Sequence, residues 1–81
     1  MTTAIMDSTE LVQLIKSAFQ LENYLRNKKI AVKVISEKNQ VFIEGMVESF
    51  YIKQIATLTV VKILKNLGIN LEIFNRLDVA N

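Results

Sequence analysis

The chain contains no cysteine, no histidine and no proline. Without cysteine there is no disulfide bond and no thiolate metal site, and the redox compartment stays open. Histidine is the side chain most often used as an acid–base group near neutral pH and as a metal ligand, so its absence removes the commonest route to both. Without proline there is no cis-proline switch. We therefore expect a protein that is not an enzyme and that binds no metal or other cofactor.

Long apolar runs and strong charge are missing as well. The formal net charge of +2 is too small to indicate nucleic-acid binding by itself. Residues 1–8 show no basic stretch followed by an apolar one, so we expect no secretory signal in the chain as written. No apolar run approaches the roughly 18 residues that a membrane span requires. We expect a cytoplasmic location for the chain as written, and association with the cell envelope if it is a fragment.

What the chain has in excess is apolar side chains. They make up 51% of its 81 residues, a high share for a domain near the small end of what folds alone. A small domain has much surface per unit volume, so some apolar side chains must remain outside the core. That excess favours a second copy, a protein partner or a membrane surface as the element that covers them.

The first periodic segment predicts a helix, which follows a flexible tail of residues 1–6 and opens a single domain of residues 7–81. Asp7 can act as the N-cap, and Glu10 three residues later completes a capping-box spacing. Apolar residues then recur at helical spacing, so the helix is predicted to end near residues 26–28. Its predicted buried stripe consists of Leu11, Leu14, Ile15, Ala18, Leu21 and Leu25, widened by Val12 and Phe19.

Two short alternating segments predict a β-hairpin. Residues 30–35 and residues 41–47 alternate in the manner of strands, and the polar residues 37–40 between them form the turn. Gly45 lies inside the second strand, where a missing side chain predicts a bulge or the close approach of another element.

The rest of the chain predicts a second helix and a last strand. Ser49 suits the N-cap of the helix, and Gly68 suits the left-handed position that ends it. Residues 69–79 then alternate as a strand with one apolar face. A right-handed crossover places both helices on one face of a three-stranded mixed sheet, an α+β fold of order α-β-β-α-β. The residues predicted to be buried together are Val41, Ile43, Ile55, Ala56, Ile63, Leu71 and Ile73.

Two apolar surfaces are predicted outside this core. Ile35, Phe42, Met46 and Phe74 project from the open side of the sheet, and they are the candidate interface because they lie on neighbouring strands. Scattered surface groups are the alternative interpretation. On the second helix, residues off the buried stripe either extend the core or form a second contact face: Phe50, Tyr51, Leu58 and Val61.

A basic cluster follows the first helix and consists of Arg26, Lys28, Lys29 and Lys33. One interpretation is contact with an anionic surface, through lipid headgroups or phosphates. The other is a solvated helix end, where cations complement the helix dipole.

Several of these segments resemble the BON domain, a small α-β-β-α-β module of bacterial envelope and other proteins. Residues 41–47 are similar to the apolar-x-leucine-x-glycine-x-valine strand of that family, and residues 74–79 to its closing asparagine-x-leucine-x-valine. Ala56 and Gly68 lie between them at the expected places. The resemblance implies a non-enzymatic module that binds phospholipid surfaces or partner proteins, with structural roles for Gly45 and Asn75.

The predicted function is a non-catalytic interaction module that acts by homo-oligomerisation, protein-partner binding or phospholipid-surface contact. The alternative is a small nucleic-acid-binding domain that uses the open sheet face, where Phe42 and Phe74 lie with Lys33 and Arg76. Salt separates the two, because phosphate contacts weaken steeply as salt rises and apolar association does not.

Overall fold

The computed structural model describes residues 7–80 and has the order α-β-β-α-β, so the predicted α+β fold is confirmed. The predicted flexible tail of residues 1–6 lies outside the described residues, as does residue 81. The helices are α1 (Ser8–Leu21) and α2 (Phe50–Leu67), and the strands are β1 (Ile30–Ile35), β2 (Gln40–Val47) and β3 (Glu72–Val79).

The central strand of the three-stranded sheet is β2. It pairs antiparallel with β1 in the predicted hairpin and parallel with β3, which makes the sheet mixed. The hairpin turn contains a short 3-10 helix, Ser36–Lys38, which is closed by Asn39 in the left-handed conformation at φ 53°. The strand order, which the sequence pattern left open, makes β1 and β3 the two edges.

Both helices pack on one side of this sheet around one core. Three of the predicted core residues, Val41, Ile43 and Ala56, are completely buried. The other four are partly buried and pack against that core: Ile55, Ile63, Leu71 and Ile73. The rest of the buried core consists of Leu11, Ile15, Phe19, Leu25, Ile30, Val47, Val60, Leu64 and Leu77.

The first helix begins as predicted and ends earlier than predicted. The Asp7 carboxylate accepts hydrogen bonds from the N–H groups of Thr9 and Glu10, and both halves of the capping box are present. The prediction that the helix reaches residues 26–28 is wrong, because Glu22 leaves the helical region at φ −90° and ψ 122°. Residues 22–27 form turns instead, which still bring Leu25 into the core but leave Leu21 81% exposed.

The second helix ends at Gly68, which has the predicted positive φ of 68°. The N–H of Gly68 donates to the carbonyl of Lys65 at 3.1 Å, and the N–H of Ile69 donates to that of Leu64 at 2.9 Å. This is the paired bonding of a left-handed helix end, which satisfies carbonyls that the helix itself leaves free. Because Ile69 belongs to this turn, β3 begins at Glu72 and not at residue 69.

Gly45 allows β1 to lie close against β2. A Cβ atom at this position would lie 2.6 Å from the carbonyl oxygen of Lys29, a distance that no side chain tolerates without a shift of the backbone. The φ angle of Gly45 is 149°, which side-chain-bearing residues rarely adopt. Of the two predicted explanations for this glycine, the structure therefore displays the close approach, with unbroken pairing of Ile30 and Gly45.

Asn75 holds α2 against β3. Its amide nitrogen donates to the carbonyl of Lys53 at 2.8 Å and to the hydroxyl of Thr57 at 2.7 Å. Its amide oxygen accepts the N–H of Leu77 at 3.0 Å. A half-buried amide must have such partners to avoid a large desolvation cost, and here both ends of the amide are used. Asn75 therefore has the geometry of a structural residue.

Candidate interaction surfaces

The side of the sheet that faces away from the helices is called the open face here. Side chains alternate along each strand, so the residues between the core positions share this face. The strand register sets them in rows, and the central row is Lys33, Phe42 and Phe74. On one side of the central row lies the row of Ile35, Gln40 and Glu72. On the other side lies the row of Ala31, Glu44 and Arg76, followed by the pair of Met46 and Asp78.

Two aromatic rings form the centre of the open face. Phe42 and Phe74 are paired across β2 and β3, and their rings stack with centroids 4.8 Å apart and planes inclined by 14°. The guanidinium of Arg76 lies over the Phe42 ring, 4.7 Å from its centroid. A cation over a ring face is attracted by the negative charge density of that face. The result is a compact platform that is apolar in the middle and charged at its side.

The predicted interface residues all lie on this face, but at different distances from its centre. Phe42 and Phe74 meet directly, whereas Ile35 is one row away on the edge strand β1. Met46 is at the far end of β2 and is 61% exposed. The open face thus has an aromatic centre with an aliphatic side chain towards each end.

The charges of the open face are of both signs. Lys33 and Arg76 are basic, and Glu44, Glu72 and Asp78 are acidic. The nearest oppositely charged pair is Arg76 with Glu44, whose side-chain atoms are 3.9 Å apart and well exposed to solvent. Glu44 and Glu72 are separated by the aromatic row, so they do not form a carboxylate pair.

The predicted basic cluster is not one patch. Lys33 lies on the open face, and the Nε of Arg26 donates to the carbonyl of Gln20 at the end of α1, at 3.0 Å. Lys28 forms an ion pair with Glu48, with its Nζ 2.5 Å from the carboxylate oxygen. The hydrogen bond from Lys28 holds the pKa of Glu48 below its ordinary value. Strand alternation separates Lys33 from the other three, because it turns the Lys33 side chain away from the helices.

Lys28 and Lys29 instead line a groove beside α1, called the lysine groove here. Its volume is about 380 Å³. Sequence reasoning missed the third cation of this groove, Lys16. Helical spacing could have found it, because it places Lys16 on one side of α1 with the uncharged polar residues Gln13, Ser17 and Gln20. The lining residues are Gln13, Lys16, Ser17, Phe19, Gln20, Lys28, Lys29 and Ile30.

The outer face of α2 is the second apolar surface predicted from the sequence. Its side chains are exposed, with Phe50 at 69% and Leu58 at 58%, so they do not extend the core. The ring of Tyr51 meets Tyr24 edge to face, with centroids 5.3 Å apart. The residues of this face are Phe50, Tyr51, Leu58 and Val61, and the helix that carries them has lysines but no acidic residue.

One backbone N–H group on the free edge of β3 already has a hydrogen-bond partner. Glu72 and Ala80 donate their N–H groups to carbonyls on the side of β2, so the odd-numbered residues between them direct theirs to the free edge. One of these is Leu77, whose N–H is bonded by the side chain of Asn75. This bond removes a donor that an added strand would need, and it blunts the edge in the middle of β3.

Neither a membrane-crossing helix nor a metal cluster is present among residues 7–80. No helix there is long and apolar enough to cross a bilayer. No three acidic side chains there lie close enough together to hold a metal ion. A scan against protein-family models found no match to the chain, and a search of curated proteins found none. The BON-domain resemblance therefore stays a prediction.

Proposed function

We propose that the chain is a non-catalytic interaction module, resembling a BON domain, that pairs with a second copy of itself through the open face. The observation that carries this proposal is the stacked pair of Phe42 and Phe74 at the centre of an uncovered sheet face. Aromatic side chains gathered at the centre of a surface, with charged groups around them, are typical of protein interfaces.

The sheet pairing supports a covered open face. Strands β2 and β3 are parallel, and parallel strands are usually buried on both faces, whereas only one face here is covered by helices. A second sheet packed face to face would cover the other. Because the open face has both basic and acidic side chains, it can complement a copy of itself across a two-fold axis.

The expected association is weak. Phe42 and Phe74 already cover each other in part, so the apolar area left to bury is at most about 200–300 Å² per subunit, or about 400–600 Å² in the pair, worth roughly 10–15 kcal/mol. The loss of translational and rotational freedom costs about 4–15 kcal/mol. The two terms are of similar size, which corresponds to a dimer that forms only at high protein concentration.

Binding of single-stranded nucleic acid is the second candidate for the same face. Stacked aromatic rings beside Lys33 and Arg76 are what a base-stacking platform requires. The acidic side chains of the face oppose it, because Glu44, Glu72 and Asp78 outnumber the two cations and repel phosphates. Charge therefore favours a second copy over a polyanion.

The test is sedimentation of the wild type and two variants at increasing concentration. Phe42→Glu places a charge at the centre of the open face, and Leu58→Glu is the matched control on the outer face of α2. We expect the wild type and Leu58→Glu to associate at high micromolar concentration and Phe42→Glu to stay monomeric, with folding checked by circular dichroism. A monomeric wild type, or association lost in Leu58→Glu and kept in Phe42→Glu, contradicts the proposal.

A further inference from the structure

We propose that the lysine groove is a binding site for a phosphate group. This site is separate from the open face, because its lining comes from α1 and from the segment that leads into β1. Lys16, Lys28 and Lys29 supply three positive charges around one concave surface. None of the residues that line it is acidic, although the described chain as a whole has nearly as many acids as bases.

The uncharged lining residues complete the donor set. Gln13 and Ser17 lie beside Lys16 on the same side of α1, and their amide and hydroxyl groups are hydrogen-bond donors. A phosphate has several acceptor oxygens, so it is best held by several donors that converge from different directions. Here the donors come from a helix on one side and from the segment before β1 on the other.

The groove has walls that are held in place. The side-chain oxygen of Gln20 accepts the N–H of Asn27 at 3.3 Å, and Arg26 bonds the backbone carbonyl of the same Gln20. The N–H of Lys28 donates to the carbonyl of Leu25, whose side chain is completely buried. The backbone that carries Lys28 and Lys29 is thereby fixed against α1, so a ligand has to order the lysine side chains but little of the backbone.

Glu48 sets a threshold for binding. Its carboxylate pairs with Lys28 at the groove, so a ligand must compete with it for that ammonium group. A carboxylate carries one negative charge, and a phosphate monoester or diphosphate carries more. The groove therefore favours ligands of higher charge over simple carboxylates or chloride. At about 380 Å³ it has room for a phosphate-bearing small molecule or for the phosphate-monoester headgroup of a phospholipid.

The first arm of the test uses inorganic pyrophosphate as the probe, followed by NMR amide shifts at constant ionic strength. We expect saturable shifts at residues 13–20 and 28–30, and an affinity about tenfold weaker in the double variant Lys16→Gln/Lys29→Gln. The matched control is Lys62→Gln/Lys65→Gln, which removes two exposed lysines from α2 and should leave the affinity unchanged. Phe42→Glu should also bind as the wild type does, which separates this site from the proposed dimer.

The second arm distinguishes the sources of the phosphate. Vesicles of phosphatidic acid, whose headgroup is a phosphate monoester, mixed with phosphatidylcholine are floated with the wild type and with both double variants, and phosphatidylcholine vesicles serve as the blank. Flotation that is lost only in Lys16→Gln/Lys29→Gln supports a headgroup, and pyrophosphate shifts without flotation support a soluble ligand. Shifts that are absent, that are matched by chloride, or that are equally weakened in Lys62→Gln/Lys65→Gln overturn the site.

Discussion

The open face and the outer face of α2 both carry apolar side chains outside the core, yet they are built differently. On the outer face of α2, Phe50 and Leu58 project separately into solvent, at 69% and 58% exposure. On the open face the two central rings stack on each other and are partly buried before any partner arrives. The more exposed surface is therefore the less organised one.

The charges around the two surfaces differ in the same way. Lys62 and Lys65 lie on α2 with no acidic residue on that helix, so two copies of it would repel each other. The open face has cations and carboxylates side by side, including Arg76 above the Phe42 ring. Contiguity and self-complementary charge, more than exposed area, are what favour the open face as the contact between two copies.

The largest expected effect is a loss of stability in the core that supports both the open face and the outer face of α2. Ile43 lies on β2, and its side chain is completely buried in the core between the sheet and the helices. Ile43→Ala should lower the free energy of unfolding by about 2–5 kcal/mol, the range for a large-to-small change in a core. Urea denaturation measures it, with Val61→Ala on the outer face of α2 as a control expected to change little. A loss of less than about 1 kcal/mol would contradict the assigned core.

Sequence patterns were sufficient where structure is decided locally. Asp7 and Ser49 cap their helices as predicted, and Gly68 ends α2 in the left-handed conformation. The two faces of the hairpin also follow from alternation alone, which is why Phe42 lies on the open face. These features depend on neighbours only a few residues away in the chain.

The failures have a common cause, which is contact between distant residues. The early end of α1 depends on Leu25 reaching the core from a turn, and no periodicity can report that. Lys28 pairs with Glu48 across 20 positions of the sequence, so the pattern of the basic cluster could not show that one of its charges is paired. The parallel register that brings Phe42 beside Phe74 joins residues far apart in the sequence, so alternation along one strand could not predict the stacking.

A second substitution should act on the open face and leave the outer face of α2 alone. Gly45→Ala places a methyl group 2.6 Å from the Lys29 carbonyl at a φ of 149°, so β1 must move away from β2. We expect a loss of about 1–3 kcal/mol in the free energy of unfolding, with backbone amide shifts concentrated in β1 and β2.

Gly68→Ala is the matched control for Gly45→Ala. It also has a positive φ, 68°, but nothing lies within 4 Å of an added Cβ. Only the backbone conformation opposes the substitution there, at about 1–2 kcal/mol, and amide shifts should stay at the end of α2. If the two variants lost equal stability and shifted the same residues, the close approach at Gly45 would not be the cause.

The smallest expected effect is on the pH dependence of stability, and it comes from the ion pair of Lys28 and Glu48, which lies outside the open face. The hydrogen bond from Lys28 holds the pKa of Glu48 below its ordinary 4.5 in the folded state. As the pH falls, the unfolded state therefore takes up the proton first. The stabilisation from this pair is present above about pH 4.5 and is lost as the pH falls through the folded-state pKa.

The measurement compares the free energy of unfolding of the wild type and Glu48→Gln across that pH range. The wild type should be only slightly more stable near neutral pH, because an exposed ion pair contributes little even when formed. The difference should vanish in acid, because protonation of Glu48 removes the charge that pairs with Lys28. Glu44→Gln, on the open face, is the control, since its 3.9 Å separation from Arg76 is too long for a hydrogen bond. A pH dependence that is the same in the wild type and Glu48→Gln would show that the Lys28–Glu48 pair contributes nothing to the folded state.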